Sequence, residues 1–387
     1  MRYKKILLFF LIFISITTKT FSTNTNSSIK NEMVNSQKES FGISTFIQEA
    51  EKYSKETLED ISMKEILNSA IIGQVDNNSL LLKVFQKFLK EIKSMLKVLG
   101  TILIIIVVHS VLKAISEGLE NETISHVTYY VQYILLVTLI MTNFSDIIVM
   151  IKDSIHNLVG FSYTLIPLLL TLMMTTGNIA SVSAIQPILL ILITFIGSSI
   201  TTFILPMVLV STSLGIISKV SSRISVDKIS KFMNSSVIWI LGIVLTLFVG
   251  ILSLEGSLTS GVDGVTAKTT KAAVSSLIPV VGKILGDSVD SVIGGATILK
   301  NAVGFVGIVV IIGICIIPVI RLTILTISYY LAAAVCDLIA DQRIVSLLSQ
   351  MGNTFKVLLA ILISISMMLI IGIAIVIKIS NSSLMYR

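Results

Sequence analysis

Apolar runs of membrane-spanning length recur through the chain and constrain its fold more than any other feature. A transmembrane helix needs about 20 predominantly apolar residues. The clearest runs are residues 98–115, 127–143, 185–217, 237–254, 303–335 and 355–377, with two less regular segments at 158–174 and 272–293. Only helices and closed barrels satisfy their backbone hydrogen bonds in lipid. The sequence therefore predicts an all-α, polytopic integral membrane protein with about six to eight transmembrane helices.

Two of these runs are longer than one span requires. Residues 185–217 and 303–335 each fit either one long tilted helix or two short passes. The number of passes, and with it the side of the membrane on which the chain ends, depends on this choice.

Composition supports a membrane protein and argues against several other classes. The chain is 54% hydrophobic and only 13% charged, whereas soluble domains have about 25% charged residues. The net charge is +7, but the basic residues flank apolar runs, so we expect a lipid bilayer and not nucleic acid as the partner. Cys315 and Cys336 belong to no Cys/His cluster. We find no catalytic, cofactor or metal motif and expect a protein that is not an enzyme.

The first residues have the layout of a secretory signal peptide. Arg2, Lys4 and Lys5 precede an apolar stretch at 6–16, and a polar, small-residue segment follows. We predict a signal peptide at residues 1–22, with an uncleaved anchor as the alternative. Either interpretation places residues 23–96, a polar and amphipathic helical region, outside the cytoplasm.

A basic connection near the middle of the chain predicts the orientation. Lys219, Arg223, Lys228 and Lys231 fall in one short polar segment, opposed only by Asp227. Since basic loops are enriched on the cytoplasmic side, we predict that this connection is cytoplasmic. We also predict a first transmembrane helix and polar elbow at 97–126, and a last transmembrane helix with a short tail at 355–387.

Four of the five prolines indicate an internal repeat. Pro167 and Pro206 are 39 residues apart, as are Pro279 and Pro318, and the two pairs are offset by 112 residues. The predicted units are residues 127–235 and 236–354, in inverted or parallel relation, with coincidence as the alternative. Since proline removes a backbone donor, these four positions are candidate helix breaks. Interrupted, possibly re-entrant segments at matching positions are typical of transporters and conduits.

Several charged residues lie in or near the apolar runs. Arg321 follows Pro318 inside a long run, where an ionisable group needs a partner or water; alternatively, it marks a turn between two short passes. Lys283 and Asp287 are four residues apart and, with Asp290, make segment 272–293 too polar to face lipid. This segment could line an aqueous path or lie on the membrane surface. The candidate partners of Arg321 are Asp287, Asp290, Asp337 and Asp341.

Two stretches carry a family resemblance. One runs from Leu254-Glu255-Gly256-Ser257 to Val303-Gly304, and the other from Tyr329-Tyr330-Leu331 to Ala340-Asp341-Gln342-Arg343-Ile344. Together with the signal-like start, the polar ectodomain and the Pro-containing span near 185–219, they resemble the stage III sporulation protein AE family of endospore-forming bacteria.

The resemblance implies a multi-protein apparatus that joins the mother cell to the engulfed forespore. Family members are expected in the mother-cell-derived outer forespore membrane. The implied partners are a cytoplasmic ATPase, ring-forming proteins and a forespore channel protein, with an Oxa1-type insertase in biogenesis. The implied role is a feeding or secretion-like channel, in which this subunit contributes to a pore or export gate. Two alternatives remain, a secondary transporter of a small solute and a non-conducting scaffold.

Overall fold

Helices make up the regular structure of the described chain. The computed structural model describes residues 41–58, 62–73, 122–220, 226–277, 281–338 and 340–385, with isolated residues between 86 and 115. The predicted signal peptide, the segment at 23–40, the last part of the polar region at 23–96 and most of the apolar run at 98–115 lie outside this part. Within it, five helices are long and apolar enough to cross a membrane. The predicted all-α membrane fold is confirmed.

The helices are long and follow one another with short connections. In chain order they are α1 (Ile43–Leu58), α2 (Met63–Ile72), α3 (Glu122–Thr175), α4 (Ile179–Ser199), a π-helical turn (Ile200–Ile204), α5 (Leu205–Val220), α6 (Asp227–Leu277), α7 (Val281–Cys336) and α8 (Gln342–Met385). The candidate spans within them contain 39 to 47 residues, which corresponds to about 60–70 Å of helix. The hydrocarbon core is only about 30 Å thick, so these helices tilt or extend beyond it.

Helix α3 joins two predicted spans, 127–143 and 158–174, into one helix. Between them, Asp146 and Lys152 are exposed while Ile147, Ile151 and Ile155 are buried. Buried residues four apart continue one helical face through the polar segment. His156 in this segment is therefore part of α3.

Each of the two longest apolar runs forms one continuous helical segment. Residues 303–335 lie inside α7, and residues 185–217 run through α4, the π-helical turn and α5. The alternative of two short passes is thus excluded for both runs.

Helix α7 is the centre of the bundle. In its apolar window 72% of the residues are buried, against 22% in that of α6. It packs on α8, α3, α1 and α2. Gly304 approaches Ile377 of α8 and Gly307 approaches Leu165 of α3, so any side chain there would collide with a neighbouring helix. The Gly304–Gly307 spacing thus serves close helix packing.

The N-terminal helix α1 belongs to the same core. The Phe46 and Tyr53 rings lie 6.1 and 5.9 Å from the Phe161 ring of α3, measured between centroids. Phe46 is 1% exposed. This part of the predicted ectodomain is therefore fastened to the bundle.

Three of the four repeat prolines lie in described helices, and only one of them adjoins a change of helix type. Helices α3 and α7 continue through Pro167 and Pro318, since a helix whose sides are packed can absorb one lost hydrogen bond. Pro206 instead follows the π-helical turn, in which the Leu205 N–H donates to the Ile200 carbonyl. Pro279 lies in the undescribed connection between α6 and α7.

The predicted repeat units also turn at different places. Helix α3 turns into α4 at Thr176–Asn178, well past Pro167, whereas α6 ends at Leu277, just before Pro279. The position 112 residues beyond Gly177 is Val289, which lies inside α7. The repeat remains a prediction from the proline spacing.

Candidate functional site: a buried polar centre

The sharp turn between α3 and α4 directs polar side chains into the bundle. Gly177 adopts φ +87°, a left-handed conformation that glycine tolerates best. Its N–H donates to the Met174 carbonyl at 2.9 Å, and the Asn178 N–H donates to the Met173 carbonyl at 3.2 Å. Thr176 and Asn178 are 1% and 0% exposed. The turn thus closes a helical connection and supplies two enclosed polar groups.

These groups meet polar side chains from α7 and α8, and we call the set Thr176, Asn178, Lys300, Ser380 and Asn381 the polar centre. The Asn178 amide donates to Thr176 Oγ1 at 2.8 Å and to Ser380 Oγ at 3.0 Å. Lys300 Nζ donates to Ser380 Oγ at 2.6 Å and to Asn381 Oδ1 at 2.9 Å.

Ser380 is the shared acceptor of this network. Its oxygen accepts from both Lys300 and Asn178, which occupies both lone pairs. Its oxygen also lies 3.1 Å from Thr176 Oγ1, a contact in which either hydroxyl can donate. Thr176 passes its hydroxyl proton to the Met173 carbonyl at 2.7 Å. The serine is therefore fully committed, and any change to it disturbs three neighbours.

Lys300 carries the unusual electrostatics of the centre. It is 0% exposed, yet its two acceptors among the described residues, Ser380 Oγ and Asn381 Oδ1, are neutral oxygens. The ion pairs among the described residues join Lys52 to Glu49 and Asp227 to Lys219 and Lys231. Burying an ion costs several kcal/mol unless a countercharge and good hydrogen bonds repay it. An enclosed cation among membrane helices is a functional-site candidate for this reason.

Asp263 of α6 is a second enclosed charge at the same end of the bundle. It is 2% exposed, and it accepts from the Ala180 N–H at 2.8 Å and the Ser181 N–H at 3.0 Å. Asn178 occupies the N-cap position of α4 but makes no capping bond, because its amide is used in the polar centre. Asp263 caps α4 in its place, where the helix dipole favours an anion. Asp263 thus accepts from two N–H groups at a helix N-terminus, whereas the acceptors of Lys300 among the described residues are neutral oxygens.

The residues singled out from the sequence lie elsewhere. Arg321 is half-buried on α7, and its Nη1 donates to Met150 Sδ at 3.7 Å. It lies about 32 Å along the helix axis from Lys300. Asp290 is exposed near the start of α7, about 46 Å from Arg321 along the axis. Lys283 and Asp287 belong to the first turns of α7, and their side chains are outside the description.

The other two candidate partners of Arg321 have local roles. Asp337 accepts from the Gln342 amide at 2.9 Å, and Asp341 accepts from the Arg343 N–H at 2.9 Å. The geometry therefore keeps Arg321, Asp287 and Asp290 apart within one chain. No cluster of three or more His, Cys, Asp or Glu suited to a metal occurs among the described residues.

Sequence reasoning missed Lys300, Ser380 and Asp263. Lys300 and Ser380 lie just outside two apolar runs, 303–335 and 355–377, and so read as ordinary flanking residues. Their contact joins positions 80 apart in the chain. The one available signal was a lysine three residues before the run at 303–335, with Ser-Asn starting three residues after the run at 355–377.

Comparison with known proteins agrees with the membrane architecture. The Stage III sporulation protein AE family profile matches residues 61–380. Stage III sporulation protein AE of Bacillus subtilis (strain 168) is 27% identical over 304 residues, which cover 79% of this chain and 76% of that protein. No solved structure matches the chain. With a family match that spans most of its length and a helical membrane fold, the chain belongs to the stage III sporulation protein AE family.

Proposed function

We propose that this chain is a membrane subunit of the complex that connects mother cell and forespore, and that it forms part of a pore or export gate. Family membership establishes a sporulation-related membrane protein in a family that is not a known enzyme family. The observation that carries the pore role is Lys300, an enclosed cation in the most buried helix that donates only to neutral oxygens among the described residues.

The physical argument is the cost of keeping Lys300. A scaffold gains nothing from it, since apolar residues of similar volume are often as stabilising as a buried ion or more so. A path that passes anionic groups needs a cation with unfilled coordination. The remaining members of the polar centre supply hydrogen bonds where lipid supplies none. The polar centre is thus proposed to line the path.

The proposed orientation follows from the basic connection between α5 and α6. It places the Lys219–Asp227 end in the mother-cell cytoplasm, where a partner ATPase would supply energy. The polar centre lies at the opposite end, because α4, the π-helical turn and α5 run lengthwise between the two. In the outer forespore membrane that end faces the intermembrane space. Ring-forming proteins and the forespore channel protein would assemble there, after insertion by an Oxa1-type insertase.

Replacement of Lys300 by methionine tests the proposal. Lys300→Met keeps the side-chain length but removes the charge, so the free energy of unfolding should rise by about 1–4 kcal/mol. We expect the variant to reach the membrane in normal amount while forespores stall after engulfment. Microscopy of sporulating cells measures the stall, and immunoblotting of membranes measures the protein.

Two controls make this result specific. Lys152→Met changes an exposed lysine of α3 and should leave sporulation normal, while Lys300→Arg keeps the charge and should retain partial function. Normal spore development with Lys300→Met would contradict the pore role of Lys300 and favour the scaffold. Normal sporulation after deletion of the whole gene would contradict a role in the complex.

A secondary transporter is the second candidate, and the same enclosed ammonium favours it, because a lone chain could hold an anionic solute there. This function predicts ion-coupled solute uptake by the purified protein in liposomes. A null result in that assay, together with the sporulation defect of Lys300→Met, favours the complex subunit.

A further inference from the structure

A basic cleft opens at the end of the bundle opposite the polar centre. It has a volume of about 490 Å³ and lies between the end of α5, the start of α6 and the first half of α8. Its lining includes Lys219, Asp227, Lys231 and Lys356, with serine hydroxyls and side-chain amides between them. The cleft is therefore polar and large enough for a small charged group.

The charges of the cleft do not balance. Asp227 accepts from Lys219 Nζ at 3.2 Å and from Lys231 Nζ at 2.6 Å, so one carboxylate serves two ammonium groups. Lys356 is exposed on α8 and has no carboxylate partner among the described residues. Three lysines against one aspartate leave an excess of two positive charges in the lining. The cleft consequently favours an anion.

An apolar groove continues from the cleft along the outer face of α6. It has a volume of about 500 Å³ and is lined by Ile238, Trp239, Gly242, Ile243, Thr246 and Leu247. Ile238 lines both spaces. A side chain built at Gly242 would meet no atom within 4 Å, so the floor of the groove is open. Trp239 is 71% exposed beside it.

A cationic pocket joined to an apolar groove is complementary to an amphipathic anion. We infer that the cleft and groove together bind one anionic phospholipid, with its phosphate among Lys219, Lys231 and Lys356 and an acyl chain along Gly242 and Thr246. Basic pockets between transmembrane helices on the cytoplasmic side bind anionic headgroups in this way. Trp239 lies where an aromatic residue is favoured at the membrane–water interface.

The lining also indicates the type of headgroup. The side-chain oxygens of Asn234 and Gln350, two cleft residues, are buried without a hydrogen-bond donor among the described residues. A headgroup with hydroxyl groups could donate to them after a small side-chain rotation. A zwitterionic headgroup would bring an ammonium toward an excess of lysines, which Coulomb repulsion disfavours. The best match is an anionic, polyol-bearing headgroup such as phosphatidylglycerol.

The single tryptophan of the chain provides a direct readout. The full chain is reconstituted in nanodiscs of phosphatidylcholine and phosphatidylglycerol, with brominated acyl chains on one lipid at a time. Bromine quenches tryptophan fluorescence at short range, so quenching reports which lipid lies against Trp239. We expect brominated phosphatidylglycerol to reach half-maximal quenching at a mole fraction about fivefold lower than brominated phosphatidylcholine.

Variants assign the effect to the cleft. Lys231→Gln combined with Lys356→Gln should abolish the preference, while Lys152→Gln, at an exposed lysine of α3 that does not line the cleft, should leave it unchanged. Equal quenching by the two lipids overturns the proposal, as does a preference that survives the double variant. If millimolar inorganic phosphate abolishes the preference, the site takes free phosphate and the lipid assignment is wrong.

Discussion

The two ends of the bundle treat lysine in opposite ways. At the basic cleft, Lys219 and Lys231 share Asp227, and Lys231 has 76% of its side chain exposed. At the polar centre, Lys300 is fully enclosed and donates to Ser380 and Asn381. Water and a carboxylate stabilise charge at the first end, whereas only neutral oxygens do so at the second.

Exposed and enclosed charges in a membrane protein differ in what they cost in folding free energy. Exposed ion pairs contribute about 0–1 kcal/mol and can be exchanged with little effect on folding. An enclosed charge costs several kcal/mol, and replacing it is often stabilising. Positive charge at the cleft therefore costs little stability and can serve membrane orientation or ligand binding. Positive charge at the polar centre lowers the free energy of unfolding.

Removal of the shared acceptor should produce the largest effect on stability. Ser380→Val leaves Lys300 and Asn178 without their common oxygen, and we expect a loss of about 3 kcal/mol in the free energy of unfolding. Unfolding in mixed micelles, followed by the fluorescence of Trp239, measures it.

The matched control for Ser380→Val is the double variant that also carries Lys300→Met. Once the charge is gone the missing acceptor matters less, so Ser380→Val should cost clearly less in the Lys300→Met background than it does alone, which is a non-zero coupling energy. Additive effects would show that the two side chains do not interact as described.

Loss of the substitute cap should have an intermediate effect. Asp263→Ala removes the acceptor of the Ala180 and Ser181 N–H groups, and we expect a destabilisation of about 2 kcal/mol. Asp263→Asn keeps one side-chain oxygen, so we expect it to lose about half as much free energy of unfolding as Asp263→Ala. An unchanged midpoint of unfolding for the alanine variant would mean that α4 is capped by another group.

The corresponding change at the cleft should be small. Asp227→Asn leaves Lys219 and Lys231 without a countercharge, but both have access to water, so we expect a loss of less than about 1 kcal/mol. The loss should shrink further in high salt, which screens exposed charges. A cost comparable to that of Ser380→Val would break the contrast between the two ends.

Arg321 lies between the two ends and tests how far the proposed path extends. Arg321→Ala removes a half-buried side chain that donates to Met150 Sδ, and we expect the variant to reach the membrane in normal amount. If the path passes Arg321, spore yield falls while the protein remains in the membrane. Normal spore yield would confine the path to the region of the polar centre.

The sequence was sufficient for what depends on local composition. Apolar runs predicted the membrane helices because the cost of exposing backbone and charge to lipid is local. The continuity of α3 was also readable in principle, since Ile147, Ile151 and Ile155 keep the helical period while Asp146 faces outward. The mean hydropathy of a sequence window does not reveal this amphipathic segment of α3, because it averages the exposed polar and the buried apolar residues.

The polar centre depends on contacts between residues far apart in the sequence, which no short sequence window contains. Asn178 and Ser380 are 202 residues apart, and Asp263 reaches the start of α4 from 82 residues away. Whether a lysine at a span boundary faces water or the interior is decided by which helices pack around it. Arg321 stood out because it interrupts an apolar run, although the more completely buried cation is Lys300.

The π-helical turn at Ile200–Ile204 sets the angular phase of everything that follows it in α5. One additional residue in a turn rotates the next segment by about 100° relative to a regular α-helix. After this rotation Ser211 reaches Ser230 of α6 and Thr212 reaches Thr354 of α8. Deleting one residue from this turn would rotate α5 about its own axis. The face of α5 that now packs inside the bundle would then turn toward its surroundings.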